Sequence, residues 1–173
     1  NSANEIIETS STAENMINNF KETVKIYEQG KRYYDALKSV HDLVKGARKV
    51  QQTILLVGDI SDIYVTNFNT MMGDPNFTVE ELSAIAFGYN RLLEESSNLL
   101  LDLKEVTTVT GLSMTDKERL DIINRIYGEV LEYKNLTWYY TRKNIGISYL
   151  RSKKKGDSQR VLALYGTHDQ RYW

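Results

Sequence analysis

The sequence predicts an all-α protein: an elongated antiparallel bundle of about three long helices, followed by a short C-terminal helix and a tail. Pro75 is the only proline in 173 residues. Because proline breaks helices, such a chain can carry long uninterrupted ones. Apolar residues recur at steps of three and four along most of the chain, and Thr-x-x-Glu pairs mark two helix starts. With 41% hydrophobic and 26% charged residues, the composition is that of one globular domain over residues 1–173.

The first predicted element is a long, kinked helix within residues 1–72. Gly30 and Gly46 weaken it, since glycine costs about 1 kcal/mol relative to alanine inside a helix, and we expect a kink near Gly46 or Gly58. An alternative for Thr53 to Val57 is a buried strand entering a turn at Gly58. No other segment resembles a partner strand, which favours the helix. The apolar stripe of this element is Ile17, Phe20, Val24, Tyr27, Tyr34, Leu37, Val40, Val44 and Ala47, continued by Val57, Ile60, Tyr64, Phe68 and Met71.

A second helix is predicted over residues 78–106. Asp74 and Pro75 end the preceding element, and Thr78 with Glu81 forms a capping box in which each side chain binds a backbone N–H of the first turn. The apolar positions alternate steps of three and four, which is typical of a heptad seam in a coiled coil. The seam contains Leu82, Ile85, Tyr89, Leu92, Ser96, Leu99, Leu103 and Val106.

A third helix is predicted over residues 115–153, with Thr115 and Glu118 as a second capping box. Its expected inner face contains Leu120, Ile123, Tyr127, Val130, Tyr133, Thr137 and Tyr140. A short helix and an irregular tail complete the chain over 157–173. The expected core packs Leu82, Ile85, Tyr89, Leu92, Leu99 and Leu103 on Ile123, Tyr127 and Val130.

Motifs for catalysis, metals or cofactors are missing from the sequence. The glycines form no phosphate-binding loop, and cysteine is absent. The two histidines, His41 and His168, have no ligand motif beside them, and no serine or threonine has a visible activating partner. Glu94 and Glu95 are interpreted as a solvated helix face. We therefore expect a protein that is not an enzyme, with no catalytic residues, no metal and no cofactor.

Charge divides the chain into an acidic body and a basic end. Residues 1–141 carry a net charge of −7, whereas residues 142–173 carry 8 Lys/Arg against 2 Asp/Glu, a net charge of +6. The run from Arg151 to Lys155 is the most concentrated basic feature. It is compatible with a solvated helix C-terminus, where cations favour the helix dipole, and with phosphates of DNA or lipid. A contact with an acidic protein partner, or with the acidic body of this same bundle, is a further alternative.

Aromatic residues indicate an interaction surface. Trp138, Tyr139 and Tyr140 are consecutive, and successive helix residues point about 100° apart, so they cannot all face one core. Tyrosine and tryptophan are enriched in binding hot spots. Together with the basic run, the candidate partner-binding residues are Trp138, Tyr139, Arg151, Lys153, Lys154, Lys155, Tyr172 and Trp173.

Several long strings carry a family resemblance. They are VGDISDIY at 57–64, GLSMTDKERL at 111–120, YYTRKNI at 139–145, SYLRSKKK at 148–155, RVLALYG at 160–166 and the ending RYW at 171–173. Over essentially its whole length the chain resembles the TraI-type conjugal transfer proteins of Bacteroides conjugative transposons. This resemblance implies a component similar in kind to the TrbJ-like minor pilus proteins of type IV secretion.

The resemblance implies a helical, non-enzymatic structural or assembly protein of the conjugation apparatus. Export to the periplasm or cell surface is expected, with a signal peptide removed ahead of Asn1. The expected partners are other proteins of the apparatus. Self-association stays open, and neither a small-molecule substrate, nor nucleic acid, nor a membrane-spanning segment is expected. The alternative is a cytoplasmic helical DNA-binding or regulatory protein that uses Arg151 to Lys155, which predicts salt-sensitive binding.

Overall fold

The protein is all-helical in the computed structural model, which describes residues 46–108 and 114–166. These described residues form three long helices and one short one: α1 (Ala47–Met72), α2 (Val79–Thr108), α3 (Asp116–Lys155) and α4 (Ser158–Tyr165). The predicted fold class is confirmed. The strand alternative for Thr53 to Val57 is wrong, because these residues lie inside α1. The stripe from Ile17 to Val44, both histidines and the pair Tyr172 and Trp173 lie outside the described residues.

Gly46, one of the two glycines near which a kink was expected, lies at the start of α1, and the residues before it lie outside the described ones. This residue has a φ of 89°, in the left-handed region that favours glycine, and α1 begins directly after it. A Cβ at this position would also press on the side chain of Leu120. At Gly58, the other glycine where a kink was expected, α1 continues without interruption.

The three long helices run up, down and up. At one end Arg119 of α3 donates to the carbonyl of Val106 at 2.6 Å, and at the other Arg151 of α3 pairs with Glu81 of α2. α2 is therefore antiparallel to α3. Because α1 and α2 are joined by the short loop 73–78, α1 lies parallel to α3, and Lys134 reaches Asp59 at 3.0 Å along that contact. The short α4 folds back onto the C-terminal end of α3.

Aromatic residues form the centre of the core. Tyr64 of α1 and Tyr89 of α2 stack with ring centroids 4.6 Å apart, and Tyr140 of α3 meets Tyr89 edge-on at 4.9 Å. The Tyr89 hydroxyl lies 2.5 Å from the Oγ1 of Thr141, which satisfies both polar groups inside the bundle. Burial raises the pKa of Tyr89 well above its ordinary value, so the phenol stays protonated.

The buried face of α2 differs from the predicted seam at two leucines. Leu92 and Leu99 are only half-buried, whereas their neighbours Leu93 and Leu100 are buried. Tyr127 of α3 is also half-buried instead of fully inside. The physical reason is that α2 packs against both α1 and α3, so its buried face is wider than the single seam of a coiled coil. The remaining six residues of the predicted core are buried: Leu82, Ile85, Tyr89, Leu103, Ile123 and Val130.

The interior face of α3 changes from apolar to polar along its length. Its first half buries Ile123, Ile126 and Val130, as an ordinary core helix does. Its second half buries mainly small polar residues at steps of three and four: Thr137, Thr141, Asn144, Ser148 and Ser152. Buried polar groups need hydrogen-bond partners. Ser148 and Ser152 find theirs in the loop between α1 and α2, as described below.

Candidate interaction surface

A polar junction joins three elements at the C-terminal end of α3. It is defined by Asp74, Asn76, Ser148, Ser152 and Tyr165. Asp74 is 2% exposed, and its carboxylate accepts hydrogen bonds from Ser148 Oγ at 2.5 Å and from the Tyr165 hydroxyl at 2.7 Å. Its other oxygen accepts the backbone N–H of Asn76 at 2.9 Å. A buried carboxylate is tolerated because these donors replace its hydration.

Asn76 connects the same loop to α3 a second time. Its side-chain amide donates to Ser152 Oγ at 2.6 Å and to the carbonyl of Ser148 at 3.1 Å. Arg160 of α4 approaches Asp74 at 3.8 Å and donates to Ser152 at 3.3 Å. The junction therefore fixes the loop 73–78 and α4 against the end of α3.

Part of the predicted basic cluster is engaged inside the molecule. Arg151 donates two hydrogen bonds to the carboxylate of Glu81, at 2.9 and 2.6 Å, and a third to the carbonyl of Asn76 at 2.7 Å. The hydrogen bond from Arg151, followed by that from the Thr78 backbone, lowers the pKa of Glu81 to about 2. Lys155 contacts the Asn76 side chain at 3.2 Å.

The outward face of α3 carries a continuous row of side chains, which we call the α3 stripe. Its members follow one another at steps of three and four, so they share one face of the helix. The stripe consists of Glu129, Glu132, Leu136, Tyr139, Lys143, Ile147, Leu150 and Lys154. Its apolar members are well exposed for their type: Leu136 by 47%, Tyr139 by 53%, Ile147 by 42% and Leu150 by 54%.

An acidic groove adjoins one end of this stripe. It lies between α2 and α3 and has a volume of about 430 Å³. Carboxylates of both helices line it, together with amide and apolar groups: Glu95, Asn98, Leu99, Asp102, Glu129, Glu132, Tyr133 and Leu136. The opposite end of the stripe carries Lys154, and Lys143 lies near its middle. The surface is thus acidic at one end and basic at the other, with the four apolar side chains and Lys143 between them.

No family model, curated protein or solved structure matches this chain. The family resemblance of its sequence strings therefore enters below as part of a proposal.

Within residues 46–108 and 114–166, no cluster of three or more His, Asp or Glu side chains has a metal-binding arrangement. No helix of the same ranges combines the length and the apolar character that crossing a membrane needs.

The predicted interaction residues separate into three groups. Tyr139 and Lys154 lie on the α3 stripe and Lys153 is exposed beside it, while Trp138 is half-buried. Arg151 and Lys155 contact the loop between α1 and α2, as described above. The apolar members of the stripe were not predicted, although their spacing to Tyr139 is visible in the sequence. The polar junction was not predicted either, and the small polar residues at 144, 148 and 152 were the available signal for it.

Proposed function

We propose that this protein is a non-enzymatic structural or assembly component of a conjugative type IV secretion apparatus in the cell envelope, acting through protein–protein contacts. The observation that carries the binding role is the α3 stripe, with its four exposed apolar side chains on one helix face. The assignment to conjugation rests on the sequence strings that resemble the TraI-type transfer proteins.

The α3 stripe has the composition of a binding surface. Single exposed apolar residues are ordinary on soluble proteins, but a contiguous row marks a site of association. Tyr139 adds a large aromatic side chain with a polar end, a type enriched in hot spots. Leu136, Ile147 and Leu150 supply apolar area whose removal from water favours binding.

The surface is also rigidly presented. The capping box of Thr115 and Glu118 fixes the start of α3, with hydrogen bonds of 2.7 and 3.1 Å. Arg151 and the polar junction fix its end against two other elements. A preformed helix face loses little conformational entropy when a partner binds, which favours a scaffold role.

A transfer assay tests the proposal. In a donor whose gene for this protein is deleted, wild type is expected to restore conjugation, whereas Ile147→Glu is expected to fail. Leu55→Glu is the matched control, because Leu55 is 55% exposed on α1, away from the stripe. Each variant is checked for wild-type abundance and for an envelope location by fractionation. Normal transfer without the gene, or a purely cytoplasmic protein, would contradict the proposal.

The DNA-binding alternative has one specific observation in its favour. Arg142, Lys143, Lys153 and Lys154 are all exposed near the end of α3. Phosphate contacts by these side chains predict an affinity for duplex DNA that falls steeply with salt. A labelled DNA duplex is titrated with the wild type and with the double variant Lys153→Glu/Lys154→Glu. Binding by the wild type, together with its loss in the variant, would favour this alternative over the scaffold role.

A further inference from the structure

The α3 stripe is close to a palindrome in the chemistry of its side chains. Counted from its two ends inwards, Glu129 corresponds to Lys154, Glu132 to Leu150, Leu136 to Ile147 and Tyr139 to Lys143, and each pair is centred near position 141. Three of these four pairs are complementary: an acid with a base, an apolar residue with an apolar residue, and an aromatic ring with a cation. Most of this helix face is therefore complementary to itself when a second copy is turned end to end.

An antiparallel pair of stripes brings complementary side chains together in three places. Glu129 of one copy comes beside Lys154 of the other, and Leu136 comes beside Ile147. At the centre, Lys143 of one copy lies beside Tyr139 of the other. Within one chain Lys143 Nζ already lies 5.6 Å from the Tyr139 ring centroid, so both side chains reach the same part of the face.

We infer that a second copy of this chain docks antiparallel on the α3 stripe and forms a symmetric dimer whose two-fold axis lies between the copies, at the level between Tyr139 and Lys143. The inference deepens the proposed function and rests on its use of this surface, because it names the partner. A two-fold dimer uses the same patch on both copies, which is what a palindromic stripe provides.

Charge selects the antiparallel arrangement over the parallel one. A parallel pair would place Glu129 on Glu129 and Lys154 on Lys154, and like charges in register are unfavourable. Glu129 has an exposed partner within its own chain, Arg125, at 3.3 Å. Such exposed pairs are weak, so the carboxylate can turn to a lysine of the second copy. The apolar residues supply the affinity, and the charges supply the orientation.

The available area is adequate for a specific dimer. From residue 129 to residue 154 the stripe is about 38 Å long at about 1.5 Å per residue. The α2 residues that line the adjoining groove, from Glu95 to Asp102, widen the contact to about two helices, or about 20 Å. The resulting area of about 750 Å² per copy approaches the roughly 800 Å² that each partner buries in a standard interface.

Cysteine pairing tests the orientation, and the chain has no cysteine of its own. Glu129→Cys and Lys154→Cys are purified separately and oxidised alone and as an equimolar mixture. The antiparallel dimer predicts a disulfide-linked heterodimer in the mixture and no link in either variant alone, because positions 129 and 129 lie far apart. Links in the single variants and none in the mixture would overturn the arrangement.

Hydrodynamic measurements test the dimer itself. Sedimentation of wild-type protein from about 1 µM to about 1 mM is expected to show a monomer–dimer equilibrium. Ile147→Glu is expected to weaken it at least about tenfold, while Leu55→Glu leaves it unchanged. Circular dichroism verifies that both variants keep the helical fold. A wild-type monomer throughout this range, or equal weakening by both variants, would overturn the proposal.

The two proposals can fail separately. A purified protein that stays monomeric while Ile147→Glu still blocks conjugation would leave the scaffold role and remove the self-association. If the purified protein forms the dimer but deletion of its gene leaves conjugation unchanged, the self-association stands and the scaffold role is removed.

Discussion

The hydroxyl of Tyr165 donates a 2.7 Å hydrogen bond to the buried carboxylate of Asp74, across 91 positions of the sequence. The contact attaches the last turn of α4 to the loop between α1 and α2. Burial, and then the hydrogen bond to Asp74, raises the pKa of Tyr165 well above its ordinary value. The phenol therefore remains a donor at neutral pH, and α4 is held by a charge-assisted bond.

Tyr165→Phe is expected to destabilise the protein by about 1 to 2 kcal/mol, because the buried carboxylate loses one of its donors. Urea denaturation followed by circular dichroism measures the change. Tyr139→Phe is the matched control: its ring is 53% exposed, and an exposed substitution of this kind is expected to cost less than about 0.5 kcal/mol. Equal effects of the two variants would show that the bond to Asp74 contributes nothing to stability.

The Glu81–Arg151 pair predicts an acid-sensitive contribution to stability. In the folded protein the pKa of Glu81 is lowered from 4.5 to about 2. Because the folded pKa is depressed, the contribution is present above about pH 4.5 and is lost as the pH falls towards 2. The two side chains are 40% and 35% exposed, so solvent screening limits the effect to about 1 kcal/mol.

Glu81→Gln isolates this effect, since glutamine preserves the capping box with Thr78. The free energies of unfolding of wild type and variant are compared between pH 7 and pH 2. Wild type is expected to be more stable at pH 7, and the difference is expected to vanish at the acidic end. A difference that is independent of pH would mean that the charge of Glu81 does not matter.

Local signals made the helices predictable. Both capping boxes form as expected: Thr78 with Glu81 at 3.1 and 3.2 Å, and Thr115 with Glu118 at 2.7 and 3.1 Å. A capping box depends only on residues three apart, so neighbouring sequence contains the whole interaction. Gly46, which the sequence marks as a weak point of the helix, lies at the start of α1, whereas α1 continues through Gly58.

The polar junction was not predictable, because its partners are distant in sequence. Asp74 was recognised only as a helix breaker, and its contacts to Ser148 and Tyr165 span 74 and 91 positions. The role of Arg151 was hidden likewise: a basic run shows its charge but not the carboxylate that pairs with it. The α3 stripe was missed because α3 has a second apolar face opposite its buried one, and periodicity alone does not rank the two.

Gly88 is predicted to be intolerant of a side chain, whereas Gly128 is not. A Cβ on Gly88 would overlap the hydroxyl of Tyr140, which donates to the carbonyl of Ile85 at 3.0 Å. Gly88→Ala is therefore expected to cost about 1 to 3 kcal/mol through overpacking. Nothing lies within 4 Å of a Cβ on Gly128. Gly128→Ala is expected to gain about 0.5 to 1 kcal/mol from helix propensity.

Thermal and urea unfolding of the two glycine variants decide this prediction. If the clash with Tyr140 is the cause, Tyr140→Leu in the Gly88→Ala background is expected to recover part of the loss, giving a non-additive double-mutant cycle. Additive effects would show that the destabilisation by Gly88→Ala does not come from the contact with Tyr140.

Paired leucine substitutions test the shifted buried face of α2. Leu93 is 1% exposed and belongs to the core cluster, whereas Leu92, the residue of the predicted heptad seam, is half-buried. Leu93→Ala is expected to cost about 2 to 5 kcal/mol, because it removes buried area and leaves a cavity. Leu92→Ala is expected to cost about 1 kcal/mol, since much of its side chain remains in water. Urea denaturation compares the two at constant helix propensity, because both changes replace leucine by alanine in the same turn. A larger loss of stability for Leu92→Ala than for Leu93→Ala would support the predicted heptad seam and contradict the packing of α2 against both neighbours.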